Sequence, residues 1–309
     1  MSTDLLLAPK LQSGDLVRLV SPASYPDQPH IDNYIETLES WGLRCDAGDK
    51  VLGKHGYMAG TDAERLDDLN KAFRDPEVRA VIATRGGAGA YRIADDIDFE
   101  AVRSDPKLLV GFSDITFLHL SLLTHCHVGG IHGCLNGDIT QSSTKQLLMT
   151  TDPITVVSNS IAVSAAVKFE GKVTGPIVGG HLQSVATSVG VRMPPMDGAI
   201  LFLEYNRKGL GTVDRYLTQL IRSGTLDGIA GVALGSFECG RDYSDRGWTI
   251  ADVLHDRLGS LNVPVLGGID SGHGLLDQHG NSNFSAIPLG SVATLDTYEG
   301  TLTIEPVVK

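Results

Sequence analysis

Short apolar runs alternate with helical patterns in the N-terminal half of the chain, and this alternation restricts the fold more than any other feature. Leu16–Val20 is predicted to be a strand, and Thr61 opens a capping box before a helical pattern. Arg79–Thr84 and Leu108–Val110 are predicted to be buried strands because their apolar residues are nearly continuous. Strands that alternate with helices predict a parallel sheet with helices on both faces, and ligands bind such sheets at the carboxyl ends of the strands.

Changes in sequence character predict an α/β protein with two domains. Residues 1–150 are predicted to form an N-terminal α/β domain with a parallel sheet. Over residues 151–178 helical spacing fades and Val, Ser, Thr and Gly dominate, which predicts a connector with short strands. Residues 179–309 resume the alternation and end in β-rich segments, so we expect a C-terminal α/β domain with a β-rich part.

Composition excludes several classes of protein. The chain has 309 residues, 42% of them hydrophobic, and a net charge of −12, which argues against nucleic acid as a partner. No apolar run approaches the roughly 18 residues of a membrane span, and the N-terminus lacks a signal-peptide pattern, so we expect a cytoplasmic protein. The four cysteines form no C-x-x-C pair and are expected to be free thiols. They are Cys45, Cys126, Cys134 and Cys239.

A serine lies between a predicted strand and a predicted helix at Gly111-Phe-Ser113. The helical pattern begins at Asp114, so the hydroxyl of Ser113 would be exposed beside the free N–H groups of a helix N-terminus. This is the arrangement of a nucleophile elbow, and it makes Ser113 a candidate nucleophile. Ile115 occupies the position of the second glycine in G-x-S-x-G, and a simple serine N-cap is the alternative interpretation.

Two further candidates lie at predicted strand ends. Glu204 closes an apolar strand, where a charge is costly unless it has a partner. His273 lies between two glycines just after another strand, which would leave its ring exposed. The chain order Ser113, Glu204, His273 is the Ser-acid-His order of hydrolases on α/β sheets, with the histidine as base and the acid as its orienting group. The simpler interpretations are a salt bridge from Glu204 to Arg207 or Arg215, and a turn-capping histidine.

Two other patterns bear on ligands. The turn Arg85–Gly89 is rich in glycine and follows a strand, so its backbone N–H groups could bind a phosphate or the oxyanion of an acyl-transfer intermediate. No Walker lysine follows it. Histidines at 119, 125, 127 and 132 suggest a metal, and an extended segment would place His125 and His127 on one face. No carboxylate completes that set, so we predict no metal.

Five segments together resemble the LD-carboxypeptidase family of serine peptidases, which includes murein tetrapeptide carboxypeptidases and microcin C immunity peptidases. In chain order they are Gly56–Arg65, Arg85–Ala90, Gly111–Thr116, Leu201–Glu204 and Gly272–His273. The resemblance implies a catalytic triad of Ser113, Glu204 and His273. It also implies an oxyanion hole made by the backbone N–H groups of Gly87 and Asp114.

The resemblance further implies which substrate and partners to expect. The substrate would be small and peptide-like or aminoacyl-nucleotide-like, cleaved at an amide bond without metal or organic cofactor, by a homodimer. The expected substrate-binding residues are Gly86, His181, Lys208 and Glu238. His181 stands where the family usually has asparagine. The simpler interpretations are a solvated Lys208 and a Glu238 paired with Arg241.

Two alternatives to a hydrolase stay open at this point. An acyltransferase or cyclase would use the same acyl-enzyme with an acceptor other than water. A small-molecule binding protein would keep the cleft and lose the chemistry, but the presence of all three triad residues argues against it.

Overall fold

The computed structural model describes residues 5–191, 193–206, 209–238 and 246–309. The chain divides into two compact units. Unit 1 comprises Met1–Asp152, Ala286–Gly290 and Pro306–Lys309, and unit 2 comprises Pro153–Ser285 and Ser291–Glu305. Within the described ranges, no helix has the length and apolar character needed to cross a membrane.

Strands and helices follow one another throughout both units. The strands are β1 (Leu16–Val20), β2 (Arg44–Ala47), β3 (Val78–Ala83), β4 (Leu108–Gly111), β5 (Gly130–His132), β6 (Ile154–Val157), β7 (Lys168–Phe169), β8 (Lys172–His181), β9 (Ile200–Asn206), β10 (Gly231–Glu238), β11 (Val265–Leu266), β12 (Ile287–Leu289), β13 (Val292–Asp296) and β14 (Thr301–Ile304). The helices are α1 (Gln28–Ser40), α2 (Asp62–Arg74), α3 (Phe99–Ser104), α4 (Thr116–Cys126), α5 (Asp138–Met149), α6 (Leu182–Thr187), α7 (Leu210–Arg222) and α8 (Ile250–Gly259).

Unit 1 is built on a six-stranded sheet with the order β12-β5-β4-β3-β1-β2. All of its strand pairs are parallel except β12 with β5. The central strands are apolar because helices cover them, and β3 and β4 are almost wholly buried. The order reverses between β1 and β3, and such a switch point is where open α/β sheets bind ligands.

Local sequence signals account for several helix starts in unit 1. The capping box at α2 forms as predicted, because Thr61 Oγ1 accepts from the Glu64 N–H and the Glu64 carboxylate accepts from the Thr61 N–H. Asp27 caps α1, with its side chain accepting from the His30 N–H. The helix predicted from Asp114 begins instead with a 3₁₀ turn over Ser113–Ile115 and continues as α4.

Unit 2 is built on an eight-stranded mixed sheet with the order β6-β14-β13-β8-β9-β10-β11-β7. The strands β8, β9, β10 and β11 are parallel, and antiparallel strands flank them on both sides. Residues 200–205 of β9 are all buried at the centre of this sheet. The unit therefore combines a parallel α/β core with the β-rich part expected from the sequence.

The division of the chain differs from the predicted one in two places. The predicted connector, residues 151–178, supplies β6, β7 and most of β8 to the sheet of unit 2, so it is not a separate linker. The segment Ala286–Gly290 belongs to unit 1, where β12 pairs with β5. Both differences arise from strand pairing between segments far apart in the chain, which leaves no local sequence signal.

Candidate active site

Ser113 occupies a strained turn between β4 and α4. Its φ is 64°, a left-handed conformation that is uncommon for a residue other than glycine, while Phe112 before it is extended. Ile115 is fully buried beneath this turn. A Cβ added to Gly111 would lie 2.7 Å from Ile115 Cγ2, so the glycine makes room for the isoleucine. The turn thus has the backbone strain of a nucleophile elbow with isoleucine at the position of the second glycine.

The glycine-rich turn lies against Ser113 within unit 1. A Cβ on Gly86 would lie 2.8 Å from Ser113 Cβ and 3.2 Å from Ser113 Oγ, so only glycine permits this approach. Gly87 is exposed with a φ of 102°, and a Cβ there would lie within 2.4 Å of Ser24 Oγ. Ser24 also anchors the turn, because its N–H donates to the Gly86 carbonyl at 3.1 Å and its Oγ accepts from the Ala88 N–H at 3.2 Å.

The Asp114 side chain fixes the far end of the same turn. Its Oδ2 accepts from the Ala90 N–H at 2.7 Å. Burial raises the pKa of Asp114 to about 6, and the hydrogen bond from Ala90 and the charge of Arg65 oppose that rise. Arg65 is buried as well, and its guanidinium donates to the Gly89 carbonyl at 2.9 Å. The backbone of the glycine-rich turn is therefore held at both ends by side chains of unit 1.

Glu204, which is buried, and His273, which is partly buried, form a pair within unit 2. The Glu204 side chain is 0% exposed and that of His273 is 16% exposed. Nδ1 of His273 lies 2.8 Å from Oε2 of Glu204, and the His273 backbone N–H donates to the same oxygen at 3.2 Å. A carboxylate in this position holds the imidazole in one orientation, favours the tautomer protonated at Nδ1, and stabilises the imidazolium.

Glycines on both sides of His273 allow acidic side chains to approach its backbone. A Cβ on Gly272 would lie 2.6 Å from Glu204 Cβ, and one on Gly274 would lie 2.2 Å from Glu238 Cδ. The Glu238 carboxyl group, at the end of β10, therefore lies beside the histidine loop. Ser236 Oγ donates to the His273 carbonyl and fixes the loop from a third side.

His181 belongs to the same cluster in unit 2. It pairs with Glu204 in the register of β8 and β9, and paired residues on neighbouring strands face the same side of a sheet. Its ring stacks on Tyr205 at 5.6 Å between centroids and lies 5.4 Å from the ring of His273. Burial lowers the pKa of His181, which favours the neutral imidazole, although the charge of Glu204 opposes this shift.

The histidines of unit 1 do not form the extended cluster considered from the sequence. His125 is in α4, stacked on Phe99 at 4.1 Å, and His127 ends that helix with a φ of 52°. The expected alternation of these two residues on one face is therefore wrong, because the helix extends further than its pattern indicated. Among the described residues, the group with the geometry to hold a metal is His181, Glu204 and His273.

Some expectations fall outside the described ranges, and some important residues were missed. Lys208 and Cys239 lie outside the described residues, whereas Cys45, Cys126 and Cys134 are free thiols. Sequence reasoning missed three residues whose side chains hydrogen-bond to the backbone of the glycine-rich turn or of the histidine loop. They are Ser24, Arg65 and Ser236. Ser24 follows β1 at the switch point, and that position was the one available signal. Nothing local distinguishes Ser236 from other serines in strands.

Comparisons with known proteins cover both units. The sequence matches the LD-carboxypeptidase N-terminal domain over residues 17–133 and the LD-carboxypeptidase C-terminal domain over residues 174–295. A probable murein peptide carboxypeptidase of Bacillus subtilis (strain 168) is 35% identical over 306 residues, covering 96% of this chain and 93% of the relative.

Solved structures agree with this match. Muramoyltetrapeptide carboxypeptidase from Oxalobacter formigenes superposes with a TM-score of 0.82 at 27% identity, covering 95% of this chain and 100% of the other. MccF, the microcin C7 self-immunity protein of Escherichia coli, was solved in complex with glutamyl sulfamoyl guanosine. That structure has a TM-score of 0.84 at 22% identity and covers 98% of this chain and 100% of its own, which is a likeness of fold.

The fold and these matches define a hydrolase of the serine carboxypeptidase class. The chain belongs to the LD-carboxypeptidase family, because the two domain matches together span most of its length.

Proposed function

We propose that this protein hydrolyses the amide bond before the terminal D-alanine of murein tetrapeptides, with Ser113, Glu204 and His273 as its catalytic triad. The observation that carries the proposal is the hydrogen-bonded pair of the buried Glu204 and the partly buried His273. A buried carboxylate is costly without a partner, and this one accepts from both the ring and the backbone of one histidine. The relative at 35% identity is named as a murein peptide carboxypeptidase, which supports this choice of substrate.

The proposed reaction proceeds through an acyl-enzyme. His273 takes the proton of Ser113 Oγ as the oxygen attacks the carbonyl carbon, and Glu204 stabilises the resulting imidazolium. The negative oxygen of the tetrahedral intermediate accepts hydrogen bonds from the backbone N–H groups of Gly87 and Asp114, each worth about 3 kcal/mol in such sites. His273 then protonates the leaving amine. Water hydrolyses the ester by the same steps and regenerates the hydroxyl.

We further propose that the substrate is bound by Gly86, His181, Lys208 and Glu238. Gly86 provides room beside Ser113, and His181 and Glu238 lie around His273. Glu238 is proposed to bind a free amino group of the substrate, and Lys208 is proposed to contact the substrate as well. We expect Glu238→Gln to raise KM for substrates with a free amino group while kcat changes little. An effect confined to kcat contradicts this role.

The decisive experiment compares the wild type with Ser113→Ala on a murein tetrapeptide, with products followed by mass spectrometry. We expect the wild type to release D-alanine, and the variant to bind the peptide and release none. A variant with a near-normal rate excludes Ser113 as the nucleophile. If the wild type leaves the tetrapeptide intact, the murein tetrapeptide is excluded as the substrate.

A second candidate substrate is an amide between an amino acid and a nucleotide-like group. MccF was solved with a compound of this kind, which supports this candidate, and the free amino group of such a compound is the feature that Glu238 is proposed to bind. Aminoacyl sulfamoyl adenosine is therefore tested in parallel with the murein peptide. Cleavage of this compound alone would favour self-immunity over murein recycling.

We also propose that the enzyme is a cytoplasmic homodimer, as the family resemblance implies. Light scattering coupled to size exclusion measures its mass. A value close to the 32.9 kDa of one chain contradicts the dimer.

A further inference from the structure

His181, Glu204 and His273 lie close enough in unit 2 to share one metal ion. Each offers one ligand atom, and these atoms all lie within 4.8 Å of one another. The first two are paired residues of adjacent strands, β8 and β9. The third is tied to them by the hydrogen bonds of its ring and backbone to Glu204 Oε2. Two strands and one loop therefore hold the three side chains together.

We propose that this trio binds Zn²⁺ and that the bound ion switches the enzyme off. Two imidazoles and one carboxylate are a ligand set that zinc prefers, with a fourth position left for water. Zinc bonds of about 2.0–2.2 Å place tetrahedral ligand atoms about 3.4 Å apart, so ligand atoms that lie within 4.8 Å of one another need to close by no more than about 1.4 Å. Rotation of side chains supplies a movement of this size.

The surroundings of His181 fit the role of a ligand. A metal-bound imidazole usually donates its other N–H to an oxygen, and Ser184 Oγ lies 3.4 Å from Nδ1 of His181. Stacking on Tyr205 holds the ring in one plane. An asparagine at this position would offer only an amide oxygen, which zinc binds less readily than imidazole. The proposed site therefore depends on this chain's own histidine.

Binding of zinc and loss of activity are separable consequences. An ion on Nε2 of His273 takes the lone pair that accepts the serine proton. An ion on Nδ1 replaces the hydrogen bond to Glu204 and leaves the ring proton on Nε2. The imidazole stays neutral, with its proton on the nitrogen that the ion does not occupy. The loss of activity rests on the proposed function, since it assumes that His273 is the base. The binding of the ion does not.

Calorimetric titration with Zn²⁺ tests the site in the purified full-length protein after treatment with chelator. We expect one tight Zn²⁺ per chain in the wild type and in Ser113→Ala, which lacks only the proposed nucleophile. His181→Asn should bind Zn²⁺ at least about 10-fold more weakly, because even the loss of an outer-shell partner costs about 10- to 100-fold. Mg²⁺, which prefers oxygen ligands, should not bind there.

The control is His279→Asn, which removes an exposed histidine outside the trio. It should bind Zn²⁺ as the wild type does, and circular dichroism checks that both variants are folded. Equal zinc affinity of the wild type and a folded His181→Asn overturns the proposed site. In activity assays, Zn²⁺ should inhibit the wild type reversibly, and about 10-fold or more Zn²⁺ should be needed for His181→Asn.

The proposed zinc site and the proposed catalytic triad can each fail without the other. Tight, His181-dependent binding without any effect on turnover retains the site and overturns the switch, and it also argues against His273 as the base. Inhibition that is equally strong in His181→Asn overturns the site and leaves the triad proposal intact.

Discussion

The two parts of the candidate site are built by different means. In unit 1, Ser113 and the glycine-rich turn depend on backbone conformation, with a φ of 64° at the serine and glycines where a Cβ would collide. In unit 2, Glu204 and His273 depend on a buried charge and its hydrogen bonds. We therefore expect the part in unit 1 to be sensitive to added side-chain volume and to backbone strain. We expect the part in unit 2 to be sensitive to the charge of Glu204 and to the tautomer of His273. Substitutions that change only one of these properties should separate the two parts.

The largest effect is expected from Glu204→Gln, which keeps the shape of the side chain and removes its charge. The amide can donate to the ring, so it favours the wrong tautomer of His273, and in triads of this type such a change lowers kcat by about 10⁴-fold. The control is Asp296→Asn, which neutralises another buried carboxylate of unit 2. Steady-state kinetics should show the loss in the first variant alone, and a similar kcat for Glu204→Gln and wild type would refute the role of Glu204.

Gly87→Ala tests the backbone part of the site. The added Cβ meets Ser24 Oγ and displaces a proposed oxyanion donor, so we expect kcat to fall by about 10²- to 10³-fold. Gly14→Ala is a matched control, because Gly14 also has a positive φ, of 90°, but a Cβ there meets nothing within 4 Å. Both variants should lose about 1–2 kcal/mol in urea unfolding from backbone strain alone. Equal kcat values for the two variants would contradict the oxyanion role.

Asp114→Asn tests the buried carboxyl group that holds one end of the glycine-rich turn in unit 1. Folding raises the pKa of Asp114 from 3.8 to about 6, so the folded state binds the proton more tightly, and its free energy of unfolding falls as pH rises through that window. Relative to the variant, the wild type should lose up to about 3 kcal/mol between pH 3.8 and 6. Urea unfolding of both proteins at several pH values measures this difference, and parallel curves would disprove it.

The smallest effect is expected from Ser236→Ala, which removes the hydroxyl that donates to the His273 carbonyl. Loss of one such hydrogen bond costs about 1 kcal/mol, which is about fivefold if it acts on kcat. Ser158→Ala is the matched control, since Ser158 Oγ donates to the Gly267 carbonyl at 2.7 Å in the same unit. Thermal unfolding should shift similarly in both, whereas only Ser236→Ala should turn over more slowly.

Local patterns in the sequence predicted much of the fold. The apolar strands and the capping box at Thr61 follow from residues that are neighbours in the chain. The segment 151–178 was harder to interpret, because its strands are defined by partners far along the chain. For the same reason, no local pattern assigns β12 to unit 1, whereas its pairing with β5 does.

In the candidate site, too, some features follow from local patterns in the sequence and others depend on residues far apart in the chain. The positions of Ser113 and the glycine-rich turn after strands could be predicted, because glycine, serine and strand ends are local signals. The hydrogen bond from His273 to Glu204 joins residues 69 positions apart, so no local pattern predicted it, and the expectation of this pair came from chain order and the family resemblance. The anchoring roles of Ser24 and Ser236 were missed because each serine acts on a distant backbone group.

By itself, the sequence indicated where strands end, where glycine is required and which side chains are candidates for the chemistry. These properties depend on backbone conformation and residue type, which act over a few neighbouring positions. Only the tertiary structure decided which side chains meet within each unit, how deeply Glu204 and Asp114 are buried, and that His181 joins Glu204 and His273. Burial and electrostatic coupling arise when segments distant in the chain pack together, and no local pattern encodes that packing.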